Sequence, residues 1–459
     1  MSYYVEPQEV CCGADKALGV RGGAAVRPFP SKLQVEVTTR CNMKCSMCVK
    51  YAPDSRIGET DLKLDAFRKL GPALEHCEVL VLNGIGEPLL HPDLAEMAAF
   101  ARKRMPKNGW IGFQTNGLLL TESLAERLVS AGVDTFCVSV DSLDPQGLTC
   151  GELHGQACVD RLARSFRLLL EAGEKYGRRL RLGVEFVLMK DTYEQLPAVL
   201  DWAAEQGAGF VVCSHVFAYN PAMQGQSLFN PNTPSATEIF QKWQRKAKEQ
   251  GLDLHDYFDV LWRIRTDGSR AEYSELGRMM KAEARERDVW LHLASLLEWD
   301  RKEAVAMSAH VRSVCAEARR KAESNGIELD LPPLMAPDEL KCAFVEEGAA
   351  FVTSDGDVSP CQFLWHGYTC YMDGSEKVVR PKVFGNLSES DFVEIWRSQE
   401  YAGFRKEVLE YDYPYCSNCP MVPCDDIIGR SYDFEFDCFG ARVPCGHCPW
   451  AMGGLKCLL

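Results

Sequence analysis

The chain has 459 residues and a formal net charge of −14, with 65 acidic and 51 basic side chains. This length predicts two or three domains, and the acidic balance argues against unspecific nucleic-acid binding, which needs clustered positive charge. No apolar run is long enough to span a bilayer. The first residues, MSYYVEPQEV, lack the pattern of a signal peptide. We therefore expect a cytoplasmic protein with neither nucleic-acid nor membrane partners.

From residue 31 the sequence alternates between short apolar runs and amphipathic helical patterns. The six runs have the β-branched and aromatic composition of buried parallel strands. They span residues 33–39, 78–83, 110–116, 135–140, 182–188 and 209–214. Six βα units predict an α/β fold, a partial (β/α)6 TIM-like barrel with functional loops after the strands. A closed eight-stranded barrel is the alternative.

The alternation stops near residue 220, and the composition then changes twice. We expect four segments: an N-terminal arm (1–30), the partial barrel (31–225), a charged helical insertion or linker (226–330) and a region rich in Cys, Pro and Gly (331–459). The last region has few long amphipathic helices and could hardly build a core alone. Metal clusters are natural staples for such a segment.

The chain contains 21 cysteines, and without an export signal we expect them to be reduced thiols, whose tight clusters suggest metal. The run TTRCNMKCSMCVKY places Cys41, Cys45 and Cys48 directly after the first strand. A [4Fe–4S] cluster normally takes four thiolates. Three thiolates leave one iron open to a ligand, as a catalytic metal site requires. A zinc knuckle and unrelated thiols are the alternatives.

This CxxxCxxC run and three later motifs, GIGEP, FQTNG and VSVDS, resemble the radical S-adenosylmethionine superfamily. The resemblance implies a [4Fe–4S] cluster on the three cysteines, whose open iron binds S-adenosylmethionine and whose electron cleaves it to a 5′-deoxyadenosyl radical. It also implies that cofactor-binding residues lie along the motifs. These candidates are Gly84, Gly86, Glu87, Gln114, Asn116, Ser139 and Asp141. Asp141 could instead cap the next helix.

Glu185 is a pocket candidate, because a charged residue inside an apolar strand is rarely buried without a partner. Further along, SDGDV is a hairpin signal that predicts pairing of the strands that carry Cys342 and Cys361. Two CxxC elements follow, in YCSNCPMVPC and CGHC.

This cysteine field, together with FGNLSES, resembles the SPASM domain of radical enzymes. The resemblance implies two auxiliary [4Fe–4S] clusters, three clusters in all. The candidate ligands are Cys342, Cys361, Cys416, Cys419, Cys424, Cys438, Cys445, Cys448 and Cys457. The spacing after Cys419 departs from the family pattern, so the assignment of ligands to clusters stays open. A zinc-stapled lid is the structural alternative. Gln362 is a second pocket candidate. It stands where sulfatase-maturing relatives carry an aspartate general base, which argues against that activity.

The resemblance leads us to expect C–H activation of a peptide or protein substrate, with auxiliary clusters relaying electrons and flavodoxin or ferredoxin as the electron donor. The alternative substrate is a small molecule or a metal-cofactor precursor. It is favoured by the tail CGHCPWAMGGLKC, which is similar to that of proteins that modify the tungsten cofactor of aldehyde oxidoreductases. A non-catalytic iron–sulfur electron-transfer protein is a third hypothesis, but it leaves GIGEP and VSVDS without a purpose.

Overall fold

The structure is a computed structural model, and it describes residues 27–53, 55–144, 149–150, 153–262, 269–372, 375–419 and 434–459. Its centre is a sheet that contains the six predicted strands. They are β1 (Lys32–Val35), β2 (Val79–Val81), β3 (Trp110–Thr115), β4 (Thr135–Ser139), β7 (Arg181–Leu188) and β8 (Phe210–His215). A short hairpin of β5 (Thr149–Cys150) and β6 (Leu153–His154) lies outside this sheet.

All six central strands run parallel to their neighbours, in the order β1-β2-β3-β4-β7-β8. The prediction of six consecutive βα units is therefore confirmed. Three more strands extend the sheet, β9 (Glu328–Asp330) beside β8, and β10 (Ala349–Val352) and β11 (Val358–Ser359) beyond β1. The nine strands in the described part of the chain form an open sheet and not a closed barrel.

Strands β10 and β11 form the hairpin that SDGDV predicts, and Gly356 takes the left-handed conformation at its turn, with φ of 85°. The expectation that these strands carry Cys342 and Cys361 is wrong, because Cys342 precedes β10 by seven residues and Cys361 follows β11. β10 pairs in parallel with β1 along its whole length. The cysteine-rich region therefore completes one edge of the main sheet as well as forming its own hairpin, β12 (Tyr368–Met372) and β13 (Ser375–Val379).

Helices cover one face of the sheet. Leu33, Leu80 and Ile111 point into this helical layer and are fully buried. Since side chains alternate along a strand, their neighbours point to the opposite face, which we call the inner face. The helices between the central strands are α1 (Leu64–Arg68), α2 (Gly71–Leu74), α3 (Leu94–Arg102), α4 (Glu122–Ala131), α5 (Gln156–Lys175) and α6 (Leu196–Glu205).

The predicted helical insertion has a core of its own, which contains Phe240, Trp243 and Met280. Its last helix packs against α6 and returns the chain to the sheet at β9. The helices after β8 are α7 (Pro221–Gln224), α8 (Pro234–Glu249), α9 (Tyr257–Trp262), α10 (Ser269–Glu286), α11 (Leu293–Trp299) and α12 (Lys302–Asn325).

The cysteine-rich region contains three further α-helices within the described residues, α13 (Ala343–Glu346), α14 (Phe392–Arg397) and α15 (Gln399–Glu410). Short 3-10 turns carry its two CxxC elements, at Cys416–Asn418 and Pro444–His447. Across the described ranges of the chain, the helices are too short or too polar to cross a membrane.

Candidate active site

Cys41, Cys45 and Cys48, which we call the first thiol set, lie on the loop that follows β1. The pKa of Cys45 is raised to about 12 by burial and then by Cys48, Asp141 and Cys41. The three thiols therefore lie close enough to feel one another's charge. Backbone amides approach the sulfurs as well: the amide of Met43 lies 3.5 Å from Cys41 Sγ, and those of Lys50 and Tyr51 bond to Cys48.

Two carboxyl groups stand on the inner face beside the first thiol set. Burial raises the pKa of Asp141 to about 6, although its Oδ1 accepts a hydrogen bond of 3.0 Å from the Val187 amide. Burial, and then Asp141, raise the pKa of Glu185 to about 7. Glu185 also accepts a hydrogen bond of 3.3 Å from the Ser139 hydroxyl. The structure thus brings together three of the residues selected from the sequence.

The GIGEP loop, residues 84–88, lies against the chain between β1 and the first thiol set. A Cβ on Gly86 would lie 2.6 Å from the Arg40 carbonyl oxygen, so only glycine fits there without a shift. The Glu87 amide donates a hydrogen bond of 2.8 Å to the same carbonyl. The loop backbone is therefore held in contact with the segment that carries the cysteines.

The Glu87 carboxylate faces into the protein and accepts three hydrogen bonds. They come from the Thr115 hydroxyl (2.7 Å) and from the amides of Leu89 (3.1 Å) and Asn116 (2.8 Å). Glu87 thus ties the GIGEP loop to the end of β3. Asn116 extends this connection, because its side-chain amide donates to Asn42 of the cysteine loop at 2.9 Å.

A row of amide side chains crosses the inner face from β1 to β7. Gln34 donates to Asn83 Oδ1 at 3.2 Å, and Asn83 donates to Gln114 Oε1 at 2.6 Å. Gln114 also bonds to Glu185, which lowers the pKa of that carboxyl against the larger effect of burial. Gln114 therefore belongs to a continuous polar row that ends at the pair of carboxyl groups.

The C-terminal cysteines divide into groups. Burial raises the pKa of Cys445 far above its usual range, and Cys342, Cys448 and Cys361 raise it further. Cys448 responds to Cys361 and Cys342 in the same way. These four residues, which we call the second thiol set, therefore converge from α13, from the end of β11 and from the second CxxC turn. Gln362 lies half-buried directly after Cys361.

Cys416, Cys419 and Cys438 are further candidate ligands, grouped here by their places in the sequence, and we call them the third thiol set. The turn with Cys416 and Cys419 lies beside the second CxxC turn, so that a Cβ on Gly446 would come within 2.9 Å of Cys416 Sγ. Cys438 is exposed. Cys424, the remaining candidate in this part of the sequence, lies outside the described residues.

Cys457 is separated from these groups, although the sequence places it in the same cysteine field. Residues 454–459 lie along β8, where the Lys456 amide donates to Ser214 Oγ at 3.2 Å. Leu458 packs on the inner face with Val81 and Val212. Burial raises the pKa of Cys457 to about 11, and Glu185 contributes to this increase. Cys457 therefore lies beside the inner-face carboxyl groups.

Two tyrosines lie between the first and second thiol sets. The ring centroids of Tyr219 and Tyr368 are 5.3 Å apart with the planes near perpendicular. Burial raises the pKa of Tyr219 most, followed by Cys370 and Cys48. Tyr368 responds to burial, Tyr219, Cys370 and the second-set thiols Cys448 and Cys361. This aromatic pair therefore borders the first and second thiol sets. The sequence around the two tyrosines did not predict this position.

The first and second thiol sets both have surroundings suited to thiolate ligands of an iron–sulfur cluster. Backbone amides bond to the sulfurs of the second set, from Phe363 and Leu364 to Cys361 and from Trp450 and Ala451 to Cys448. The buried hydroxyl of Tyr413 has no acceptor among the described residues, and it lies near this set. Donors that surround sulfur favour thiolates over thiols. Within the described ranges, groups of three or more ligands suited to a single metal ion are absent. This result is compatible with a cluster, because each thiolate binds a different iron and the thiolates therefore lie farther apart than the ligands of a single ion.

Sequence reasoning missed Glu36, which is fully buried on the inner face of the segment after β1. It missed His366 as well, whose Nε2 lies 3.0 Å from Glu36 Oε2. The signal for Glu36 was present, since a charged residue inside the apolar run LQVEVTT is as unusual as Glu185 in its strand. His366 had no comparable signal.

Comparisons with known proteins agree with this geometry. Residues 35–203 match the radical SAM superfamily, and residues 342–420 match SPASM, an iron–sulfur cluster-binding domain. The chain is 25% identical to the tungsten-containing aldehyde ferredoxin oxidoreductase cofactor-modifying protein of Pyrococcus furiosus over 431 residues, 93% of this chain and 96% of that protein. It is 28% identical to a PqqA peptide cyclase of Granulibacter bethesdensis over 232 residues, 50% of this chain and 59% of that protein.

Among solved structures, Streptococcus suis SuiB bound to S-adenosylmethionine matches with a TM-score of 0.48 and 15% identity, over 82% of this chain and 68% of that one. The two domain matches cover the segments that carry the first thiol set and the start of the C-terminal cysteine field. The chain therefore belongs to the radical SAM superfamily and is an enzyme with a C-terminal SPASM iron–sulfur domain.

Proposed function

We propose that this enzyme activates a C–H bond of a small-molecule substrate, the cofactor of a tungsten-containing oxidoreductase or a precursor of that cofactor. The observation that carries this proposal is the extent of the match to the Pyrococcus furiosus cofactor-modifying protein. That match spans 93% of the chain, and so includes most of the helical insertion and of the cysteine field. The match to the peptide cyclase spans only half.

In this proposal the first thiol set holds a [4Fe–4S] cluster, and the GIGEP loop, Gln114, Asn116, Ser139 and Asp141 form the S-adenosylmethionine site. When bound, cluster and cofactor supply a 5′-deoxyadenosyl radical. The chain's own residues orient the cofactor: the loop backbone approaches it closely, and Ser139 and Asp141 offer hydrogen-bonding groups on one face of β4. Glu87 fixes the loop against β3 rather than contacting the cofactor, because its oxygens already accept three hydrogen bonds.

Glu185 and Asp141 suit proton handling near neutral pH. Their pKa values of about 7 and about 6 place both carboxyl groups close to the pH at which an acid or base is most effective. Burial raises these pKa values, while both side chains remain partly exposed at the inner face. Glu185 is the pocket candidate that this geometry supports. Gln362 remains a prediction from the sequence.

We further propose three clusters, with the second and third thiol sets each holding one auxiliary [4Fe–4S] cluster. Cys424 completes the third set in this assignment, and Cys457 is not a ligand. Tyr219 and Tyr368 support an electron-relay role for the second set, because they lie between it and Cys48. Reduced flavodoxin or ferredoxin is the proposed electron donor.

The first experiment tests the enzyme chemistry without a substrate. Anaerobically reconstituted protein is supplied with dithionite and S-adenosylmethionine, and we expect release of 5′-deoxyadenosine. Cys45→Ala should abolish this release, whereas the matched variant Cys315→Ala, at a buried cysteine of α12 in the main hydrophobic core, should retain it. Release by Cys45→Ala at the wild-type rate would contradict the assignment of the first thiol set.

The second experiment tests the substrate. The cofactor extracted from a tungsten-containing aldehyde oxidoreductase is added, and we expect faster 5′-deoxyadenosine formation together with a mass change in the extracted cofactor. A peptide substrate is the second candidate, supported by the match to the peptide cyclase. Stimulation by a short precursor peptide, with no change in the tungsten cofactor, would replace the first proposal by the second.

A further inference from the structure

A buried carboxylate joins the GIGEP loop to the cysteine-rich region. Glu36 has no exposed surface, and its two oxygens accept hydrogen bonds from three separate parts of the chain. Oε1 accepts from the Ile85 amide at 3.0 Å. Oε2 accepts from the Ser354 amide at 3.2 Å and from His366 Nε2 at 3.0 Å.

The contact between Glu36 and the loop is tight as well as polar. A Cβ on Gly84 would lie 2.6 Å from the Glu36 Cβ, so the loop backbone rests directly on this side chain. A displacement of Glu36 therefore changes the space available to the loop. It also removes the acceptor of the amide of Ile85, the second residue of GIGEP.

His366 connects this carboxylate to the second thiol set. It lies five residues after Cys361 in the sequence and is held beside Trp365, whose ring packs edge-on against Phe351 of β10 at 5.2 Å. Its side chain is only 15% exposed. A buried carboxylate is costly to leave without a charged or hydrogen-bonding partner. His366 supplies such a partner to Glu36, with its Nε2 3.0 Å from Oε2.

We propose that Glu36 and His366 are positioning residues that hold the GIGEP loop in its cofactor-binding conformation, so that S-adenosylmethionine affinity depends on the segment after Cys361. The proposal rests on the cofactor site proposed above and is independent of the identity of the substrate. The segment after Cys361, a proposed auxiliary-cluster ligand, thereby helps to hold the cofactor-binding loop in place.

The test compares full-length, anaerobically loaded protein with His366→Ala and His366→Gln, because glutamine can still donate a hydrogen bond toward Glu36. Binding of radiolabelled S-adenosylmethionine is measured by equilibrium dialysis. We expect His366→Ala to weaken binding about tenfold, the equivalent of one hydrogen bond to a charged group. His366→Gln should restore affinity to within about twofold. His310→Ala, at an exposed histidine of the insertion, is the matched control and should bind as the wild type does.

A second readout needs no cofactor. Amide hydrogen exchange in the peptide that spans residues 82–90 is measured in the same loaded proteins before S-adenosylmethionine is added. We expect faster exchange in His366→Ala and in Glu36→Gln, with wild-type exchange in His310→Ala. Unchanged loop exchange in both variants would overturn the proposal, even if the wild-type protein failed to bind S-adenosylmethionine. Unchanged affinity in His366→Ala, with wild-type iron content, would overturn it as well.

Discussion

Replacing Gly86 by alanine tests the geometry of the GIGEP loop most directly. A Cβ at this position would lie 2.6 Å from the Arg40 carbonyl oxygen and 2.8 Å from the Thr38 carbonyl carbon. Real Cβ atoms essentially never come closer than 3.0 Å to another heavy atom. Both neighbours are backbone atoms and cannot rotate away, so the loop must withdraw by several tenths of an ångström or more.

This displacement should slow catalysis while leaving the protein folded. A shift of about 1 Å at a positioning element can cost about 100-fold in rate, which corresponds to about 2.7 kcal/mol of activation free energy. Overpacking of this kind typically costs about 1–3 kcal/mol in the free energy of unfolding. We therefore expect Gly86→Ala to remain folded with its clusters and to form 5′-deoxyadenosine about 100-fold more slowly.

The assay is dithionite-driven 5′-deoxyadenosine formation, followed by chromatography, with iron content and thermal unfolding measured on each sample. Gly58→Ala is the control, because a Cβ at Gly58 would meet no atom within 4 Å. Gly84→Ala should also slow this reaction, because its Cβ would meet the buried Glu36 side chain, which three hydrogen bonds hold in place. A Gly86→Ala protein with the wild-type rate would refute the reasoning that this backbone contact positions the cofactor loop.

Two further predictions concern the cysteines and the inner-face acid. Cys448→Ala should lower the iron content by about four atoms per chain. Cys457→Ala should leave the iron content unchanged. If iron analysis found equal losses in the two variants, the proposed thiol sets would be contradicted. Glu185→Gln should raise the free energy of unfolding at pH 8 and change it much less at pH 5.5. The reason is that burial raises the pKa of Glu185 from 4.5 to about 7, so the stability that the protonated group gives the folded chain is fully present below pH 4.5 and is lost as pH rises through 7. A pH-independent difference in urea unfolding would show that Glu185 does not titrate as inferred.

The central strands and the first thiol set could be predicted because their signals are local. A short apolar run such as LGVEFVL indicates a buried strand from its own composition, and β7 (Arg181–Leu188) confirms it. The hairpin at SDGDV was likewise predictable from its turn residues, and β10 and β11 confirm it. Cys41, Cys45 and Cys48 lie on one loop, so their spacing in the sequence is enough to predict that they lie close together.

The remainder depends on contacts between distant residues. Glu36 and His366 are 330 positions apart, and the parallel pairing of β10 with β1 joins Lys32 to Ala349, which are similarly distant in the sequence. Neither hydrophobic periodicity nor motif spacing carries that information. The same reason explains Cys457: its place in the cysteine field suggested a metal ligand, while its position beside Glu185 follows from how residues 454–459 cross the sheet.

Because the elements of the open sheet are synthesised in chain order, the sheet stays incomplete until late in translation. The first thiol set emerges early, but the strand that pairs with β1 and the residues that pack on the inner face emerge more than 300 positions later. Until then, the free edge of β1 and the apolar inner face are exposed to solvent and to other chains. Iron–sulfur loading of the first thiol set during synthesis would therefore meet an accessible loop. After synthesis, the same loop remains partly exposed, and its end at Val49 packs against the cysteine-rich region.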